Sequence, residues 1–191
     1  MTEDTRATLG IVVCSTRPGR VGKAVAEWFH DVAADYDMVT AVLLDLQDFA
    51  LPLYDEARHS RFGDYEHAHT KRWAKAIGTC DGVVFVTPEY NHGPPPSLVN
   101  ALTYLGPEWA CKPAGFVSYG GRSGGLRAVQ VTKLIVNALK MFPSKTGVVI
   151  PSVKTHIAEG RFVATEEHQK EAVGFLKEMA TLSVGLRPLR Q

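Results

Sequence analysis

The run Gly82-Val83-Val84-Phe85-Val86-Thr87 carries apolar side chains at both alternating positions. A strand of that kind has two hydrophobic faces and must be covered on both, which points to a parallel sheet between two layers of helix. The same grammar recurs along the chain. Gly10–Val13, Ala114–Tyr119 and Thr146–Ile150 are further short apolar runs, and Val39, Val42, Leu43 and Leu44 suggest a second strand within Met38–Leu46. Between these runs the apolar period changes to that of a helix. Val21, Val25, Trp28, Phe29 and Val32 predict a helix over Gly22–Ala34, and His69, Trp73, Ala76, Ile77 and Cys80 mark one face of the next. Pro94, Pro95 and Pro96 set up a helix start ahead of Leu98, Leu102 and Leu105, because proline is tolerated only in the first turn.

Two segments stand out. Leu126 to Phe142 reads as a helix that is apolar nearly all round, so the sheet takes one side and a second subunit is the candidate for the other. Gln47 to Glu66 reads as a long irregular arm, a feature that usually serves function or an interface. Thr165 caps a last helix with Glu166 and Glu167 in its first turn and Val173, Leu176, Ala180 and Val184 on its buried stripe. The chain therefore reads as one α/β domain over residues 1–191, a five-stranded parallel sheet joined by right-handed crossovers. In the order 2-1-3-4-5 the first, third and fourth strands are neighbours, and the loops that follow them converge on one crevice.

With 21 basic and 20 acidic residues the net charge is +1, so there is no electrostatic footprint for nucleic acid or a membrane surface. No apolar run approaches the roughly 18 residues needed to cross a bilayer. Met1-Thr2-Glu3-Asp4-Thr5-Arg6 is polar and acidic, unlike a leader, and Cys14, Cys80 and Cys111 form no CxxC. Reduced thiols in a cytoplasmic protein are the expectation. His67 and His69 sit in a charged segment and read as solvated side chains rather than metal ligands. No GxSxG nucleophile elbow is present.

The chemistry lies in the loops. Ser15-Thr16-Arg17-Pro18-Gly19-Arg20-Val21-Gly22 joins a strand to a helix with hydroxyls, glycines and two forked cations, the makings of a phosphate cradle. Pro88-Glu89-Tyr90-Asn91-His92-Gly93 follows the third strand, and Ser118-Tyr119-Gly120-Gly121 closes the fourth. Together the three loops resemble the NADPH-dependent FMN reductase family of flavodoxin-like proteins, in the right order from residue 9 to about 150. The run Thr87-Pro88-Glu89-Tyr90-Asn91 is the most specific piece.

The resemblance implies a flavodoxin-like three-layer sandwich with FMN as cofactor. Its phosphate would lie on Ser15, Thr16, Arg17, Arg20, Val21 and Gly22, and its ring between Pro88, Glu89, Tyr90, Asn91 and Ser118, Tyr119, Gly120, Gly121. A single terminal phosphate suits a loop that lacks the GxGxxG of dinucleotide folds. Many members of the family carry serine where this chain has Gly22, so one side-chain donor is missing, and Arg20 is the candidate to replace it. Hydride would pass from NADPH or NADH to the flavin and on to a small-molecule acceptor, a flavin, quinone, azo compound or metal oxyanion. That transfer needs no protein base, so Glu89 is read as holding its loop, His92 as a surface residue, and Tyr119 as stacking or packing at the ring. Arg122 and Arg127 are candidates for the 2′-phosphate of NADPH. The family also implies a homodimer or homotetramer with the flavin near the interface. The rival readings are a flavodoxin-like electron carrier, which the near-neutral charge disfavours, and a flavin-based redox sensor working through the 47–66 arm.

Overall fold

The computed structural model of the chain describes residues 6–190; the start of the chain, Met1–Thr5, lies outside the described residues. β1 (Ala7–Val13) leads into α1 (Gly22–Ala34), then β2 (Val39–Asp45) and a single-turn α2 (Leu46–Phe49). α3 (Ala68–Gly78), β3 (Gly82–Pro88), α4 (Pro96–Thr103), β4 (Pro113–Tyr119) and α5 (Leu126–Ala138) follow. β5 (Phe142–Pro143) and β6 (Val148–Ile150) both pair with β4, and a small hairpin of β7 (Ile157–Ala158) and β8 (Arg161–Phe162) precedes α6 (Glu166–Gly185). The main sheet is parallel in the order β2-β1-β3-β4, with β5 and β6 sharing the fifth place.

Alternation along the strands builds two cores, one on each face of the sheet. Leu9, Ile11 and Val13 of β1, with Val84 and Val86 of β3, pack under α1 and α6. Val12 and Cys14, with Val83, Phe85 and Phe116, pack under α3, α4 and α5, where Trp73 and Trp109 are fully buried. Both indoles donate to backbone carbonyls, Trp73 to Ala101 and Trp109 to Leu102, so this large apolar volume leaves no N–H stranded. Every residue of β3 and β4 is buried, as the unbroken apolar run requires.

Two expectations are corrected. The helix expected to reach Phe142 ends at Ala138, because Lys140 takes a left-handed φ of 60° that the helix cannot continue through. Phe142 then becomes a strand residue, its N–H donating to Lys112. The fifth strand is in two pieces: the ladder runs on to the Ser144 N–H, which donates to Ala114, and pairing with β4 resumes at Val148. The arm over 47–66 is also less irregular than expected. Asp45 caps α2, Ser60–Phe62 forms a 3₁₀ turn, and the Glu56 carboxylate accepts the N–H groups of Glu66 and His67. Thr165 caps α6 as expected, with His168 completing a capping box. No helix of the described residues is long and apolar enough to cross a membrane.

α6 lies close on the sheet because β4 offers it a glycine. A Cβ on Gly115 would stand 2.4 Å from the Phe175 ring and 2.7 Å from Met179 Sδ. Both side chains are buried and cannot retreat. Gly115→Ala should therefore destabilise the fold by about 1–3 kcal/mol through overpacking, read as a lower urea midpoint with an unchanged slope.

Candidate functional site

The carboxyl ends of β1, β3 and β4 finish level with one another. Thr87 pairs with Ser118 and Pro88 with Tyr119, while the N–H of Cys14, just past β1, donates to Val86. The loops that leave these ends must share the same space. Loop 15–21 delivers α1 with Val21 as its N-cap, a residue with no side-chain oxygen, and no acidic residue occupies the first turn. The first N–H groups of α1 are thus unsatisfied by the helix and aimed outward, with the positive end of its dipole behind them.

The charged side chains of the loops divide into those spent on structure and those left open. Arg20 forks onto Asp45 at the end of β2, with Nη1 2.7 Å from Oδ1 and Nη2 2.5 Å from Oδ2, and Nη1 also donates to the Ser15 carbonyl at 2.6 Å. This guanidinium braces the loop from behind. Arg17 is exposed and bonds only its neighbour Pro18. Glu89 receives the Ser123 hydroxyl, the Arg127 backbone N–H and the Arg127 guanidinium, joining the second loop to the start of α5. Burial pushes its carboxyl pKa up, but these donors outweigh that and hold it below the usual glutamate value. An ionised, fully engaged carboxylate holds a loop in place; it is no base. Arg127 is correspondingly committed to Glu89, and Arg122 is exposed.

Tyr90-Asn91-His92-Gly93 closes on itself through reciprocal backbone bonds of 2.9 Å, with φ of 50° at Asn91 and 66° at His92. This tight turn puts Asn91 and His92 at an exposed tip, and Tyr90 turns back so that its hydroxyl lies 2.7 Å from Ser15 Oγ. In the third loop Gly125 has a φ of 86° and lies against the Tyr119 backbone, where a Cβ would stand 3.0 Å from the Tyr119 nitrogen. Only glycine serves there.

A cavity of about 320 Å³ opens where the loops meet. Arg17 and Val21 line it from the first loop, Pro88, Glu89 and Tyr90 from the second, and Tyr119, Gly120 and Gly121 from the third. Thr16 faces instead a neighbouring cleft with Leu46 and Ser97. Ser15, Gly22 and Ser118 are buried just beneath the rim. A fourth wall, Ser152–Thr155, had no motif to announce it. It is drawn in by backbone bonds, Ser152 N–H to Gly121 and Val153 N–H to Gly120, at 2.8 and 2.9 Å. Pro151, closing β6, was its only sequence signal.

A family model described as NADPH-dependent FMN reductase matches residues 7–155, the span that holds all four walls. The chain belongs to that family. An NAD(P)H-dependent FMN reductase of Nectria sp is 35% identical over 175 residues, covering 86% of each chain. A 2-hydroxy-1,4-benzoquinone reductase of Burkholderia sp is 32% identical over 125 residues, covering 64% of this chain and 60% of that one. Among solved structures, the flavoenzyme NAD(P)H:(acceptor) oxidoreductase of Paracoccus denitrificans superposes with a TM-score of 0.73 at 21% identity. That likeness covers 94% of this chain and 98% of the other, and the fold is flavodoxin-like. The protein is an oxidoreductase of the FMN reductase family, with FMN as cofactor and NAD(P)H as electron donor. The pocket fits a phosphorylated flavin: it pairs an uncapped helix start and an open guanidinium with walls of proline, glycine and tyrosine.

The two arginines of the first loop should part company on substitution. Arg20→Ala leaves Asp45, only 8% exposed, without its cation, and should cost about 3 kcal/mol of stability. Arg17→Ala should leave the denaturation midpoint where it is and weaken flavin retention alone, which urea curves and flavin titrations of the two variants check.

Proposed function

We propose that the chain is a single flavin-binding domain that passes electrons from NADPH or NADH to a small quinone or similar acceptor. The observation that carries this reading is the convergence of three strand-end loops and one uncapped helix start on one cavity. When bound, FMN supplies the redox chemistry, taking hydride from the nicotinamide and giving up two electrons to the acceptor. The residues of the chain hold and orient. Arg17 and the N–H groups at the start of α1 take the phosphate; Pro88, Glu89, Tyr90, Gly120 and Gly121 wall the ring. Gly120 and Gly121 would let the backbone come close to a bound flavin, which suits a permissive acceptor site. Glu89 acts by position, through Ser123 and Arg127.

The test is direct. The purified protein should be yellow and should oxidise NADPH with a benzoquinone in parallel-line, ping-pong kinetics. Colourless protein that takes up no added FMN would sink the reading. A flavodoxin-like carrier would instead be reduced only by a partner reductase, and the net charge of +1 is far from the strong overall acidity such docking favours.

We further propose that the working unit is a homodimer in the cytoplasm. Leu134 of α5 is 74% exposed, and Leu126 and Val131 of α5 and Val99 of α4 extend the same apolar character. Exposed apolar residues gathered on adjacent helices favour burial against a second copy. The thiols Cys14, Cys80 and Cys111 are free, which supports a reducing compartment. Leu134→Glu should move the protein from a dimer's to a monomer's elution volume in gel filtration, while retention of the dimer would place the interface elsewhere.

A further inference from the structure

Gly22 and Tyr119 are 97 positions apart and touch at the first residue of α1. A Cβ built on Gly22 would lie 2.0 Å from the Tyr119 hydroxyl oxygen and 2.8 Å from Cζ. The hydroxyl therefore stands where a side chain at position 22 would begin. Tyr119 is 4% exposed, and its hydroxyl is buried without a protein group in hydrogen-bonding geometry. The Ser15 hydroxyl, which bonds Tyr90, lies close enough to influence the phenol but outside hydrogen-bonding geometry with it. Buried tyrosine hydroxyls normally find a partner, so an orphan at the rim of a cavity is a group waiting for one. The site around it is anion-seeking: α1 runs for 13 residues, its N-terminus has no side-chain cap and no acid in its first turn, and Arg17 lines the same cavity as Tyr119.

We propose that the Tyr119 hydroxyl is a phosphate donor, supplied from the end of β4 to the place left empty by Gly22. The proposal rests on the FMN reading above and assigns Tyr119 to the phosphate end of the ligand rather than to the ring. It also makes Gly22 and Tyr119 a matched pair. A hydroxyl is delivered to the start of α1 either on residue 22 or across space from residue 119, and the two cannot coexist.

The experiment titrates the full chain, freed of flavin, with FMN and with riboflavin, following flavin fluorescence. The native protein should bind FMN. Tyr119→Phe, which keeps the ring and removes one oxygen, should weaken FMN by about tenfold or more, the scale of a hydrogen bond to a charged group. Its affinity for riboflavin, which has no phosphate, should stay within about twofold, below the tenth-part effect that one such bond carries. The ratio of KM for NADPH to that for NADH should also stay put, since a role at the 2′-phosphate would move it. Tyr119→Val empties the space, and adding Gly22→Ser to it should restore FMN affinity relative to Tyr119→Val alone. Gly22→Ser in the presence of Tyr119 should weaken FMN, because the two side chains collide. Equal losses for FMN and riboflavin in Tyr119→Phe would place the phenol at the ring and overturn the proposal, as would unchanged FMN binding. A native chain that binds neither flavin would overturn the cofactor reading itself.

Discussion

The parallel register of β1, β3 and β4 is the constraint on which the site depends. Val13 sits opposite Val86, and Thr87 opposite Ser118, so the three strands end on one level and hand over to loops that cannot avoid each other. A slip of one residue would exchange the two faces of a strand whose faces belong to different cores. Leu9, Ile11 and Val13 would move under α3 and α4, and Val12 and Cys14 under α1. The packing of both helix layers therefore guards the register, and the register sets the distance between loops. The contact between Gly22 and Tyr119 exists only because β4 ends where β1 gives way to α1.

Around that frame, the polar groups of the loops are used in two ways. Those that face inward are spent within the protein: Arg20 on Asp45, Glu89 on Ser123 and Arg127, and the backbone N–H groups of Ser152 and Val153 on the glycines of the third loop. Each such bond removes freedom from a loop before any ligand arrives, and a loop already ordered loses less on binding. The groups left over are concentrated at the start of α1, where helix N–H donors, an open guanidinium and an unpartnered phenol come together. Four buried side-chain hydroxyls lack a partner among the described residues, those of Thr70, Ser118, Tyr119 and Ser183, and of these Tyr119 lines the pocket.

The sheet was legible because its signals are local. A run such as Val83-Val84-Phe85-Val86 admits few alternatives, and helical spacing over 22–34 declared itself without help from distant residues. What the sequence concealed was decided across space. Lys140 ends α5 through a left-handed backbone that no apolar count reveals, so Phe142 read as helix and became strand. The ion pair of Arg20 is invisible along the chain because its partner, Asp45, lies 25 residues on at the end of another strand. Ser152–Thr155 joins the pocket through backbone hydrogen bonds, which are blind to side-chain identity and leave no motif. The helix read over Leu126–Phe142 as apolar nearly all round leaves Leu126, Val131 and Leu134 exposed.

The exchange between positions 22 and 119 carries the same lesson further. Read along the chain, Gly22 is a deficit in a phosphate loop, and Tyr119 is an aromatic near a ring. Read in space, the two statements cancel: the missing side chain makes room for the phenol, and the phenol supplies the oxygen. A donor held on a buried β-strand end is also more rigid than one on a loop serine, because its ring is fixed by packing and only the O–H rotor remains free. In this proposal the phosphate end of the pocket is built from fixed elements, a helix start and a strand end, while the other end is walled by Pro88, Gly120 and Gly121. Such a division anchors one end of a ligand firmly and leaves the reacting end accessible, and a reductase that serves acceptors of different shapes needs both.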